Sequence, residues 1–176
     1  MNRIIQAFTI ALLLMPSITY ADKGKGLKLW YKQPATIWHA EGLPIGNGRI
    51  GAMMMGGIKA DSVQFNEISL WSGDNNWDGG YDTGDHGFGS YRNFGQFVVE
   101  FNDGGSVKDY ERSLNIATGI QTTSYEINGV KMQREAFASY PDQSLVFRYT
   151  AGKNGTLTGK ISLSSAQGAK SIGQDQ

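Results

Sequence analysis

The chain has no cysteine, only four prolines and two histidines, and no excess of charge of either sign. Without cysteine there is no disulfide, no thiol nucleophile and no lipid-anchoring thiol, so stability has to come from a packed core. His39 and His86 lie far apart and fit no zinc-type spacing. No G-x-S-x-G elbow occurs, so the usual nucleophile signatures are missing. Sixteen basic residues balance sixteen acidic ones, which argues against nucleic acid or an anionic membrane as the main partner. Beyond residue 15 no apolar run is long enough to cross a bilayer.

The one sustained apolar run is at the start. Met1-Asn2-Arg3 carries a single positive charge, Ile4 to Met15 is mostly apolar, and "SITYA" ends on small Ala21. That order is expected of an export signal, residues 1–21, and predicts a periplasmic or extracellular protein. Loss of Arg3 with the signal leaves one more acid than base. Residues 22–28 form a polar lead-in, and 29–166 read as one domain.

What the chain does have is glycine, 24 of them, scattered between strand-length pieces such as "RIGAMMMGG", "FGQFVVEFND", "RSLNIATGIQTTSYEI", "VKMQREAFAS" and "LTGKISLSS". Thr123, Tyr125 and Ile127 alternate onto one face, and Val130 and Met132 follow after Asn128-Gly129. Asn-Gly tolerates the two positive φ values of a type I′ turn, so a hairpin is predicted there, and Asn154-Gly155 carries the same signal. With no convincing helical period, the predicted class is all-β, an antiparallel β-sandwich.

Three constellations invite a chemical reading. Gly46-Asn47-Gly48-Arg49-Ile50-Gly51 fits the dinucleotide pattern G-x-G-x-x-G, but Gly56-Gly57 follow too soon for the helix such a site needs. The glycines are expected to turn a strand instead. Asp74, Asn76, Asp78 and Asp85 follow the oxygen-ligand order of a calcium loop. The segment after them is glycine-rich rather than helical, and a solvated loop of turn-forming residues is the default reading. Trp71, Trp77, Tyr81, Phe88, Tyr91 and Phe94 crowd the same region, as a sugar platform or as ordinary core. Among the carboxylates, Glu41, Glu67, Asp109, Glu111 and Glu135 offer no sequence signal that two of them flank one bond.

Together, several ordered segments resemble glycoside hydrolase family 95, the α-L-fucosidases and α-L-galactosidases. "LWYKQPATIWHAEGLPIGNGRIGAMMMGG" is similar to that family's opening, "QFNEISLWSGD" to its Asn-Glu-x-x-Leu-Trp-[Ser/Thr]-Gly segment, and "GSYRNFGQFVVEF" and "YERSLNIATGIQTTSYEINGVKMQREAFASYPDQSLVFRYTA" continue the match. The resemblance implies the N-terminal β-sandwich of an enzyme whose (α/α)6 barrel carries a general-acid Glu and Asn/Asp groups for inverting hydrolysis of α-linked fucose. None of those barrel positions occurs in this chain, so no catalytic residue carries over, and residues 167–176 read as the start of a continuation. The loop after Trp71-Ser72-Gly73 is longer than the family pattern, which leaves Trp77 and Asp78 without an inherited role.

Asn47, Arg49, Asn66, Glu67 and Trp71 are the matching positions expected to contact substrate or the barrel. The competing expectation is structural: Gly48 and Gly51 allow tight backbone, and Arg49 and Glu67 satisfy buried polar groups. Implied partners are a fucosylated plant or host glycan and the catalytic domain. A carbohydrate-binding module working through residues 71–94, or a purely structural domain, are the alternatives. No cofactor is implied beyond the calcium alternative.

Overall fold

The computed structural model describes residues 26–72, 90–102 and 104–170. Among them are twelve strands and one short helix, joined into two five-stranded antiparallel sheets and a two-stranded ribbon. The first sheet takes the order β1 (Lys28–Tyr31), β8 (Val107–Asn115), β9 (Ile120–Ile127), β10 (Val130–Ser139), β11 (Ser144–Ala151). The second runs β12 (Gly159–Ser165), β7 (Gly95–Phe101), β4 (Ala60–Glu67), β3 (Ile50–Met54), β2 (Leu43–Gly46). The ribbon pairs β5 (Trp71–Ser72) with β6 (Ser90–Tyr91), and α1 (Trp38–Glu41) is a single turn. The expected antiparallel sandwich is what forms.

Strand alternation builds the core. In β9 Gln121, Thr123, Tyr125 and Ile127 are buried, and in β10 Met132, Arg134 and Ala136. From the other sheet Leu43, Ile45, Ala52, Met54 and Val63 meet Leu114 and Ala136, with Phe97 stacked on Phe147 at 5.3 Å. A second cluster of Tyr110, Tyr125, Ile127 and Met132 fills one end.

The two Asn-Gly turns part company. Asn128 (φ 52°) and Gly129 (φ 78°) are both left-handed and join β9 to β10, as a type I′ turn requires. At Asn154-Gly155 only the glycine is left-handed, and the flanking strands β11 and β12 belong to different sheets. That segment is a crossing between layers, not the predicted hairpin. The piece from Arg112 to Ile127 is also two strands, broken where Asn115 Oδ1 accepts the N–H groups of Ala117 and Thr118.

Three charged side chains lie inside, where composition alone expects none. Arg134, 5% exposed, stands 3.5 Å from Asp61, 2% exposed. Its guanidinium also donates to the carbonyls of Gly57 and Ile58 and to Tyr125 Oη, and lies 4.3 Å from the Phe101 ring centroid. Tyr110 Oη donates to Gly56 O at 2.6 Å. Three successive carbonyls of the β3–β4 turn are thus held by side chains of the opposite sheet. Arg112 donates to Gln33 O and Glu41 O at 2.7 and 2.6 Å and stacks on Tyr31, pinning segment 32–42 over β8.

Candidate functional site

β3–β4 pairing sets Gly51 opposite Asn66 and Ile50 opposite Glu67, so the two motif segments meet in one corner. Asn47 Oδ1 accepts the N–H groups of Arg49 and Ile50 at 3.0 and 2.8 Å, closing the β2–β3 turn around left-handed Gly48. Its Nδ2 donates to Ser139 O at 2.7 Å, a tie from this turn to the end of β10. Arg49 Nε donates to Glu67 Oε1 at 3.0 Å, and Arg49 O accepts Ile68 N–H at 3.0 Å. Glu67 Oε2 accepts both the N–H and the hydroxyl of Ser69. Asn66 Oδ1 accepts Glu67 N–H at 2.9 Å.

Of the five family-matching residues, four therefore share this corner. Trp71 stands apart on the ribbon, 58% exposed, with its ring 5.9 Å from that of Tyr91. The structural expectation holds in part: the Arg49 side chain is 57% exposed and satisfies no buried group, whereas Glu67, 18% exposed, accepts the Ser69 backbone N–H. Gly51 is corrected too, because a Cβ there would meet nothing closer than Ile45 O at 3.8 Å. Gly48 keeps its conformational reason at φ 90°.

Hydrogen bonds from Ser69 and Arg49 hold the Glu67 carboxyl below its ordinary value of 4.5. A general acid needs the opposite shift, so Glu67 is built as a fixed anion and not as a proton donor. Its folded-state pKa lies below the unfolded one. The stability it contributes is complete above about pH 4.5 and fades as pH falls through the lower folded value. Thermal unfolding of Glu67→Gln against the parent protein checks this: the variant melts lower at neutral pH, and the gap closes as the buffer is taken below pH 4.5.

Beside the corner, on the outer face of the second sheet, is a concavity of about 530 Å³. Trp38, Met53, Gln64, Asn66, Tyr91 and Asn93 line it, over a floor that includes Gly51. Aromatic rings beside amides can hold a sugar by its ring faces and hydroxyls. Sequence reasoning missed Trp38, which is placed by α1. The Glu41 carboxylate accepts the N–H groups of Thr36 and Ile37 and so closes that turn from its C-terminal end. A Thr-x-x-x-x-Glu spacing just after "QPA" is the signal that could have found it. Tyr91 lines this concavity, whereas Phe94 packs on Phe65 at 5.4 Å beside a second, apolar pocket of about 370 Å³.

The carboxylates are otherwise employed. Glu41 closes α1, Glu111 binds Lys28 and Lys32 at 2.7 and 3.2 Å, and Glu135 faces Arg148 at 3.7 Å. Asp109 sits at the β8 bulge with φ 51°. None of them lines the concavity. Asp74, Asn76, Asp78 and Asp85 of the calcium reading, with Trp77, Tyr81, Phe88 and His86, lie outside the described residues. Among those described, no three His, Asp or Glu gather as a metal site.

The chain is 28% identical to alpha-L-fucosidase 2 of Arabidopsis thaliana over 82% of its own length and 20% of that protein's. It is 27% identical to "Probable alpha-fucosidase A" of Aspergillus oryzae over 80% of the chain and 23% of that protein, and 24% identical to its Aspergillus niger namesake. It thus spans about a fifth of the length of the curated relatives it matches. The family model "Glycosyl hydrolase family 65, N-terminal domain" matches residues 29–86 and 78–175. With a two-sheet sandwich over the described part of that span, the chain belongs to the glycosyl hydrolase family 65 N-terminal domains.

Proposed function

We propose that this chain is the N-terminal β-sandwich of an exported, family 95-type α-L-fucosidase. The enzyme removes terminal α-linked fucose from glycans with inversion, using an acid and base in a helical domain outside this sequence. The observation that carries this reading is the match to two proteins named as fucosidases, from a plant and a fungus, over four-fifths of the chain. The use of the described carboxylates supports it: Glu41, Glu67, Glu111 and Glu135 are spent on caps and ion pairs. The corner of Asn47, Arg49, Asn66 and Glu67 is then a rigid surface against which the catalytic domain rests, and export rests on residues 1–21.

The test has two arms. The 176-residue protein shows no release from 4-nitrophenyl α-L-fucoside, while the protein encoded by the complete reading frame releases fucose, with the β anomer appearing first by NMR. Turnover by the short chain, or the α anomer from the long one, would sink the reading. The concavity with Trp38 and Tyr91 favours a second reading, a sugar-binding module. Calorimetric binding of a fucosylated oligosaccharide by the short chain, without turnover, would favour that one.

A further inference from the structure

The two sheets do not overlie each other strand for strand. Phe97 of β7 stacks on Phe147 of β11 at 5.3 Å and Phe101 leans on Tyr149 at 5.8 Å, so β7 lies over the last strand of the first sheet. β12 is one strand further out. Ile161 pairs with Val99 and Leu163 with Phe97, so both point to the interior side, yet they are 67% and 54% exposed. At the opposite overhang β8 is covered by segment 32–42, held down through Arg112. Among the described residues, nothing plays that part beneath β12.

The missing cover has a definite shape. Among the described residues, β11 pairs only with β10, so its outer edge offers a row of backbone donors and acceptors directly beside the Ile161–Leu163 shelf. Proteins normally blunt such an edge with proline, lysine or a bulge. The β2 edge carries Pro44 and the β1 edge Lys28, whereas β11 is eight residues, "SLVFRYTA", with no proline and an unbroken register to β10; its one charge, Arg148, is engaged with Glu135 at 3.7 Å. The shelf continues from Leu163 into the apolar pocket lined by Phe65, Leu70 and Phe94, by Ser164 and Ser165 at the end of β12, and by Gln167, Ala169 and Lys170 of the outgoing chain.

We propose that a β-strand of alternating apolar residues pairs with the outer edge of β11 and covers Ile161 and Leu163, completing the first sheet. Its source is the sequence that follows this domain in the full-length fucosidase, so this point rests on the reading above. Two observations point there: the relatives are about five times as long as the match, and the outgoing chain after β12 lines the pocket into which the shelf runs. An extended segment is the fitting occupant because only backbone in that form satisfies the edge while placing every second side chain on the shelf.

The probes are overlapping synthetic peptides of about ten residues that tile the Arabidopsis alpha-L-fucosidase 2 sequence after its matched region, with an alternating valine–threonine peptide as control. One fucosidase peptide is expected to slow amide exchange in β11 by at least about tenfold. The doubly substituted Ile161→Lys, Leu163→Lys protein, altered only at exposed positions, melts like the parent and loses that protection. Three results would overturn the proposal: no fucosidase peptide protects β11, protection survives the double substitution, or β11 is already protected in a concentration-dependent way because a second copy fills the slot. Protection by the valine–threonine peptide alone overturns the assigned source. None of these results touches fucoside turnover, on which the fucosidase reading stands.

Discussion

Arg134→Met lowers folding stability by about 3–5 kcal/mol, the cost of removing one partner of a buried ion pair. The size follows from what is left behind. Asp61 loses its counter-charge at 2% exposure, the Gly57 and Ile58 carbonyls lose their donors, and Tyr125 loses the guanidinium it accepts from. Urea unfolding of the two proteins measures the difference. Arg134→Met combined with Asp61→Leu recovers most of it, because the orphaned charge is gone. The pH dependence separates charge from lost packing. Burial already holds the Asp61 carboxyl above its ordinary 3.8, against the pull of Arg134. Removing Arg134 raises it further. A carboxyl whose folded pKa exceeds the unfolded one binds its proton better in the folded state. The single variant therefore gains stability as pH falls through that raised value, and the gain ends near 3.8. A deficit independent of pH would refute the unpaired-charge explanation.

Gly57→Ala comes next, at about 1–3 kcal/mol or more. A Cβ on Gly57 would sit 1.9 Å from the Ala60 carbonyl oxygen, which is backbone and cannot swing aside. The β3–β4 turn must open to admit it, and that turn carries the carbonyls held by Arg134 and Tyr110. Two controls make the result specific. Gly51→Ala, with 3.8 Å of room, stays within about 0.5 kcal/mol of the parent. Adding Gly57→Ala to Arg134→Met costs less than the sum of the separate losses, since both damage the same cap. Equal effects at Gly51 and Gly57 would mean that helix-and-strand propensity of glycine, and not the close approach, is being measured.

How much of this the sequence discloses depends on range. Thr123, Tyr125 and Ile127 show their face by alternation, and Asn128-Gly129 shows its turn, because both are settled within a few residues. Asn154-Gly155 misleads because the dipeptide reports a local bend and not which strands it joins. The pairing of β1 with β8, with Lys28 opposite Asn115, leaves no local trace. The buried charges were overlooked for a different reason: an arginine or aspartate is solvated by default. Yet each lies in phase with its apolar neighbours, Arg134 between Met132 and Ala136, Arg112 between Tyr110 and Leu114, Asp61 beside Val63. A charge in step with the apolar face is the signal. The corner of Asn47, Arg49, Asn66 and Glu67 was found through the family resemblance, and its electrostatics only through the register of β3 on β4. Trp38 escaped because one helical turn is too short to have a period.

The antiparallel partnership of β1 with β8 bears on time as well as on shape. Between those two strands the chain makes β2, β3, β4 and β7, four of the five strands of the other sheet, and the β5–β6 ribbon. As the polypeptide grows, one layer can assemble while its apolar face still has nothing to meet, and the earliest strand waits without a partner until β8 has been synthesised. Contacts between residues so far apart delay the folding barrier's crossing, since the loop must be closed before the pairing repays it. Until β8 to β11 have been made, β2, β3, β4 and β7 have no opposite sheet to pack against, and that is the interval in which a holding chaperone would matter most.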